Sequence, residues 1–183
     1  MGLSIYDAIE MTLDACKGTI TGKTAMQKLL YFQAQKIPEI RAEIPDYTNY
    51  YYGPFSRKLA AALLDLSSFV LIYINMSSWS NNGFVYTLSD DGKECADVSK
   101  NDYPDEYATI SDIVEKCKAH CDLRADPLSY AAKSHFVIKE FGDINETYQP
   151  DDIIEMAKRF NWKMSRADVK TGMALLGDLD LDR

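Results

Sequence analysis

The apolar period of this sequence changes between residues 68 and 88, and no other feature restricts the fold as tightly. Before the change, apolar residues recur at helical spacing; after it they run together or alternate, as strands do. Ser4 with Asp7 makes a capping-box start for a first helix carrying Ile5, Ile9, Leu13 and Cys16, which Gly18 stops. A second helix is expected over 21–35, with Met26, Leu29, Leu30 and Phe32 on its stripe. Pro38 and Pro45 bracket a loop or short turn. A third helix is expected over 54–67, opened by Pro54 at its first position and buried along Leu59, Leu63 and Leu66. The β-rich run 69–74 comes next, then turn chemistry over 75–83 ("NMSSWSNNG", around Trp79), then a returning strand on Phe84, Tyr86 and Leu88. Ser89 caps a fourth helix with Asp90 and Asp91 in its first turn.

Three helices and then a hairpin is the order of a winged helix-turn-helix. The expected class is therefore mainly α with a small β-hairpin wing. The expected domains are a winged-helix-like lobe over 1–100 and an all-helical lobe over 101–183, joined by "KNDYP" at 100–104. In the second lobe helices are expected over 106–120 and 126–141, the latter with Leu128, Ala131, Ala132, His135 and Ile138 on one face and Gly142 at its end. Pro150 and then Ser165 with Asp168 open the last two.

Charge narrows the partners. The chain carries a net −8, of which −2 lies in residues 1–100 and −6 in 101–183. Phosphate backbones attract positive surfaces, so a nucleic-acid site has to use the first lobe. There Arg57-Lys58 opens the third helix, where a recognition helix meets base edges, and Lys23 and Lys28 can reach phosphate. The wing segment 75–83 holds no Lys or Arg, so DNA is the second choice of ligand.

Catalytic and metal motifs do not assemble. "GTITGKT" at 18–24 has three residues between its glycines where a phosphate-binding loop has four, and it comes after an amphipathic helix instead of a buried strand. Cys117 and Cys121 share a helix face, but a tetrahedral zinc needs four ligands and His120 points elsewhere. Cys16 and Cys95 form no CxxC motif. His135 sits on an apolar stripe, as a core histidine does. The expectation is a non-enzyme with no cofactor and no metal. No apolar run is long enough to span a bilayer and no signal-peptide pattern opens the chain, so the expected setting is cytoplasmic, away from membranes.

"NYYYGPFSRKL" at 49–59 is the strongest surface signal. Three consecutive rings cannot all face a core. Tyr52 and Phe55 are assigned to the core, and Tyr51, Arg57, Lys58 and Trp79 to a partner surface, because exposed aromatic rings beside Arg make interface hot spots.

"TAMQKLLYFQAQ" at 24–35, with "YYGPFSRKL" after it at 51–59, resembles the Panacea-domain family, the SocA-like antitoxins. It is equally similar to related uncharacterised prokaryotic and phage-associated winged-helix proteins. Gln27, Lys28, Leu29, Leu30 and Tyr31 carry the first block, and Gly53, Pro54 and Ser56 the second. "YTLSDDGKE" at 86–94 resembles the signature that comes after the wing in the second group. The resemblance covers about half of the chain, and the second lobe resembles nothing in the antitoxin branch. It implies a non-catalytic protein of the antitoxin or adaptor type that acts by protein–protein contact. The expected partner is another protein, with a toxin encoded next door as one candidate and a homodimer as another. The runner-up is a DNA-binding winged-helix regulator using Lys23, Lys28, Arg57 and Lys58.

Overall fold

Helix α2 (Lys23–Lys36) is buried over ten consecutive residues, 25–34, including the polar Gln27, Lys28 and Gln33. A helix buried on all sides is the centre of its unit, not a flank. The computed structural model describes residues 2–76, 83–142 and 147–182. They are mainly helical with small antiparallel sheets. The chain divides into two compact units, one of residues 1–47 with 56–115 and one of residues 48–55 with 116–183. This division differs from a break at 100–104, because α5 (Asp90–Asp102) packs on α1 (Ile5–Ala15) and only Tyr103 separates it from α6 (Pro104–Cys121).

In the first unit α1 has the expected capping box: Ser4 Oγ accepts from Asp7 N–H, and the Asp7 carboxylate accepts from Ser4 N–H at 2.8 Å. Gly18, with φ +82°, ends the turn after α1 and donates to Leu13 O at 2.8 Å. The next element is a three-residue strand, β1 (Thr19–Thr21), so the helix expected from 21 starts at Lys23 instead. β1 pairs with β5 (Phe84–Leu88), which also pairs with β4 (Ile72–Met76), in the order β1-β5-β4. The register sets Ile20 opposite Tyr86 and Tyr86 opposite Ile74, so one face of the sheet is apolar.

The proline-bracketed segment contains a short helix, α3 (Pro38–Glu43). Its Arg41 Nε donates to Ala34 O at 2.9 Å and a second guanidinium nitrogen donates to Gln35 O. The last carbonyls of α2 are thereby satisfied by a cation, as helix C-termini favour.

The third expected helix starts three residues late. α4 spans Arg57–Ser68, and Ser56 caps it by accepting from Leu59 N–H at 3.1 Å. Pro54 lies in a strand instead of at the first helical position. The strand expected at 69–74 also shifts: Phe69 and Val70 are exposed, Val70 has φ +60°, and β4 begins at Ile72. After β5, Ser89 caps α5 through Gly92 N–H. A Cβ on Gly92 would lie 2.0 Å from Leu71 O, so only glycine lets α5 approach that turn.

Gln27 joins these elements. Its amide nitrogen donates to Ser56 O at 3.0 Å, and its amide oxygen accepts from Ser56 N–H at 2.9 Å, all buried. The start of α4 is thus held on the central helix.

The second unit comprises the end of α6, then α7 (Ala125–Phe141), α8 (Pro150–Lys158) and α9 (Arg166–Asp178), with the hairpin of β2 (Thr48–Tyr50) and β3 (Gly53–Phe55). Helices α7 and α9 pack closely because α9 carries Gly172, where a Cβ would meet the Tyr130–Ala131 backbone at under 3 Å. Gly142 ends α7 and Ser165 with Asp168 caps α9, as the sequence implies. Among the described residues no helix is long and apolar enough to cross a membrane.

Replacing Gln27 by Leu deletes both contacts to Ser56 and leaves its buried N–H without an acceptor. An orphaned buried donor costs roughly 1–3 kcal/mol, and each kcal/mol lowers Tm by roughly 2–4 °C in a chain of this size. Gln27→Leu is therefore expected to melt several degrees below wild type in calorimetry. An unchanged Tm would show that the amide grip is dispensable.

Candidate protein-interaction site

The tyrosine run is the turn of a hairpin in the second unit, not the lead-in to a helix. Thr48 pairs with Phe55, Asn49 with Pro54 and Tyr50 with Gly53, so Tyr51 and Tyr52 form the loop. Neither loop residue has positive φ, whereas Gly53 has φ +97°. A turn with a left-handed glycine after it is one standard way to close a hairpin with the right twist. Gly53 and Pro54 are buried, and Gly53 is the residue that tolerates this backbone.

Two side chains hold the hairpin by its carbonyls. Trp162 Nε1–H donates to Tyr50 O at 2.7 Å, and Ser129 Oγ–H, from α7, donates to Tyr52 O at 2.8 Å. Trp162 is itself only 4% exposed and belongs to an aromatic cluster, with ring centroids 5.8 Å from Phe136 and 5.0 Å from Phe160. The backbone of the loop is therefore tied to the interior of its unit. Its side chains are not. Tyr50, Tyr51 and Tyr52 are 62%, 75% and 50% exposed. The rings of Tyr51 and Tyr52 meet edge to face at 4.8 Å, and Tyr50 lies 5.1 Å from Phe55.

Compared with known proteins, the chain matches no family model and no curated protein.

The expected core role of Tyr52 is corrected by this geometry. Its ring is half exposed because position 52 is the second loop residue, beyond the strand alternation that would have turned it inward. Phe55 is half-buried, packed on Tyr50. Tyr51 stands on the surface as expected. Trp79 lies outside the described residues.

The basic residues belong to the first unit. Arg57 is exposed on the first turn of α4. Lys58, beside it, forms a surface ion pair with Glu43 at 3.1 Å. Such a pair contributes only about 0–1 kcal/mol, so it holds the ammonium weakly. Lys23 is exposed at the start of α2. Lys28 is corrected: it is 2% exposed on the all-buried stretch of α2 and does not reach the surface as a phosphate contact.

The remaining candidates have structural surroundings. Cys117 and Cys121 are buried, and Cys121 Sγ–H donates to Cys117 O at 3.2 Å. His120 Nδ1 lies 2.8 Å from Asp178 Oδ2. Burial, helped by Lys139, lowers the His135 pKa to about 4, so the ring is neutral at ordinary pH. The anchors Trp162 and Ser129 were not singled out in the sequence, since nothing local marks a residue whose partner is more than seventy positions away.

Gly53→Ala forces a Cβ into the left-handed region, at a cost of roughly 1–2 kcal/mol. Trp162→Phe keeps an aromatic ring but removes the bond to Tyr50 O, roughly 0.5–1.5 kcal/mol, and part of a buried ring packed on Phe136 and Phe160, which adds to the loss. Urea unfolding should place both variants below wild type with an unchanged m-value. Wild-type stability in Gly53→Ala would mean that the turn does not use this conformation.

Proposed function

We propose that the chain is a non-catalytic protein-binding module of the antitoxin or adaptor type, and that it docks a partner protein through the Tyr50–Tyr52 hairpin. The observation that carries the reading is the contrast at this loop: carbonyls tied down by Trp162 and Ser129, rings left in water. Tyrosine loses few rotatable bonds on docking, and a backbone already held in place avoids a further ordering cost. Burying one such ring gains roughly 1.5–3 kcal/mol. Three adjacent rings, each half or more exposed, suit a partner surface better than they suit an isolated monomer.

The order of the first unit also supports a winged-helix relationship. Helix, strand, helices and then two antiparallel strands, with β1 added at the edge of β5, is the winged-helix succession, here with the tyrosine hairpin inserted before α4. That reading agrees with the resemblance to Panacea-domain proteins. Arg57 and Lys58, exposed in the first unit, are proposed as partner contacts in their own right and not as part of the hairpin site. The buried Lys28 and the net charge of −8 weigh against DNA as the main ligand. The working setting of this reading is a prokaryotic cytoplasm, where the four cysteines, none of them in a disulfide, stay reduced.

Co-expression with the product of the neighbouring gene, then pull-down and a binding titration, tests the proposal. Tyr51→Ala, Tyr52→Ala and Arg57→Ala should melt within about 0.5 kcal/mol of wild type. The tyrosine variants should weaken binding by about 30-fold, the size of a hot spot near 2 kcal/mol. Variants that fold and bind as wild type does would move the interface elsewhere. Tight DNA binding with a log–log salt slope of about −5 or steeper would favour the regulator reading.

A further inference from the structure

Helix α1 carries three acidic residues on successive turns, and the protein answers two of them. Asp14 accepts from Lys100 Nζ at 3.0 Å and from the Tyr107 hydroxyl at 2.6 Å. Asp7 accepts from Ser4 and from the Ser99 hydroxyl at 2.7 Å. Glu10 is 4% exposed, and among the described residues no hydrogen-bond donor and no cation meets its carboxyl. Buried carboxylates are ordinarily paired, because leaving one alone in an apolar setting is costly.

Glu10 lines an open cavity of 580 Å³ inside the first unit. That volume lies within the roughly 300–1,000 Å³ of small-molecule sites. Leu66, Phe69, Leu71 and Val98 supply apolar wall. Every charged residue that lines it is acidic: Asp7 and Glu10 from α1, Asp91 and Glu94 from α5. The titratable groups beside them are Cys95, whose thiol is pushed up by burial and then by these acids, and Tyr6, whose hydroxyl donates to Asp65 at 3.1 Å. No Lys, Arg or His lines the cavity. Among the described residues no group of three or more His, Cys, Asp and Glu is arranged to hold a metal ion. An apolar wall with a buried, unanswered carboxylate fits a cation that brings its own hydrocarbon body.

We propose that this cavity is a binding site for a small organic ammonium compound, with the ammonium on Glu10 and the hydrocarbon body against Phe69, Leu71 and Val98. Glu94 and Asp91 add negative potential around the ligand. Asp7, already holding Ser4 and Ser99, contributes charge without needing to move. The site is independent of the tyrosine hairpin and belongs to a different unit. A ligand here therefore does not stand or fall with the partner-binding reading.

Glu10 also gives the site a pH dependence. Burial, and secondarily Asp7, raises its pKa from 4.5 to about 7. The neutral acid has little to offer an ammonium, so affinity rises as pH passes from below 7 to above it. The same shift acts on folding: the raised folded-state pKa means that stability falls as pH rises from 4.5 through about 7. Glu10→Gln removes that loss. It should match wild type near the lower pH and exceed it at pH about 8, which shows that the variant is folded.

The experiment is calorimetric titration of the full chain with 2-phenylethylamine, n-hexylamine and 1,5-diaminopentane, with 2-phenylethanol as the neutral match. Saturable binding of at least one amine is expected. It should be at least about tenfold weaker for the alcohol, for Glu10→Gln, and for wild type at pH about 5.5, a difference near 1.4 kcal/mol. Glu94→Gln should weaken it less. Failure of all three amines to bind, equal binding of the alcohol, or full affinity in Glu10→Gln would each overturn the proposal.

Discussion

The grip of Gln27 on Ser56 is the contact on which the rest of the first unit depends. A side-chain amide has one donor and one acceptor end, and here both meet the main chain of a single residue. Ser56 then caps α4 with its hydroxyl. One buried residue thus begins a helix and fixes its start on α2. Polar groups buried this deeply are destabilising unless fully satisfied, and a satisfied one specifies geometry that an apolar contact leaves loose. This explains how α2 can be buried on every side and still carry Gln27; at Gln33 only the amide oxygen is met, by the Thr12 hydroxyl, and its nitrogen has no partner among the described residues.

The same logic, in reverse, picks out the two places proposed above as binding sites. The tyrosine loop has its backbone satisfied and its rings unburied. The cavity beside α1 has its apolar wall in place and its carboxylate unanswered. The two places differ in what they leave unmet: apolar area for the rings of Tyr50, Tyr51 and Tyr52, charge for Glu10.

Much of the helical frame was legible in the sequence because its signals are local. Ser4 with Asp7, Ser89, Pro150 and Ser165 with Asp168 each open a helix that the structure contains, and Gly142 closes one. Reading failed where two local signals competed or where the deciding contact was remote. Pro54 suits a first helical turn, but Ser56 two residues on is the better cap, and the hairpin uses Pro54 in a strand. β1 is only three residues long and exists because β5 offers an edge. Lys28 looked like a surface cation because the sequence of α2 has polar residues at its centre; only the packing around it shows that no face of that stretch meets water. The exposure of Tyr52 comes from its loop position, and the Tyr-Tyr-Gly sequence was a legible turn signal overshadowed by the helix beyond it.

The central claim is that the tyrosine loop is preorganised: an ordered hairpin that displays rings, not a floppy segment that happens to contain them. Amide hydrogen exchange across residues 48–55 tests this most directly. The register from Thr48–Phe55 to Tyr50–Gly53, held by Trp162 and Ser129, predicts that the bonded amides of this stretch exchange far more slowly than an unstructured peptide does. Exchange at the unprotected rate throughout 48–55, with α7 still protected, would contradict the account.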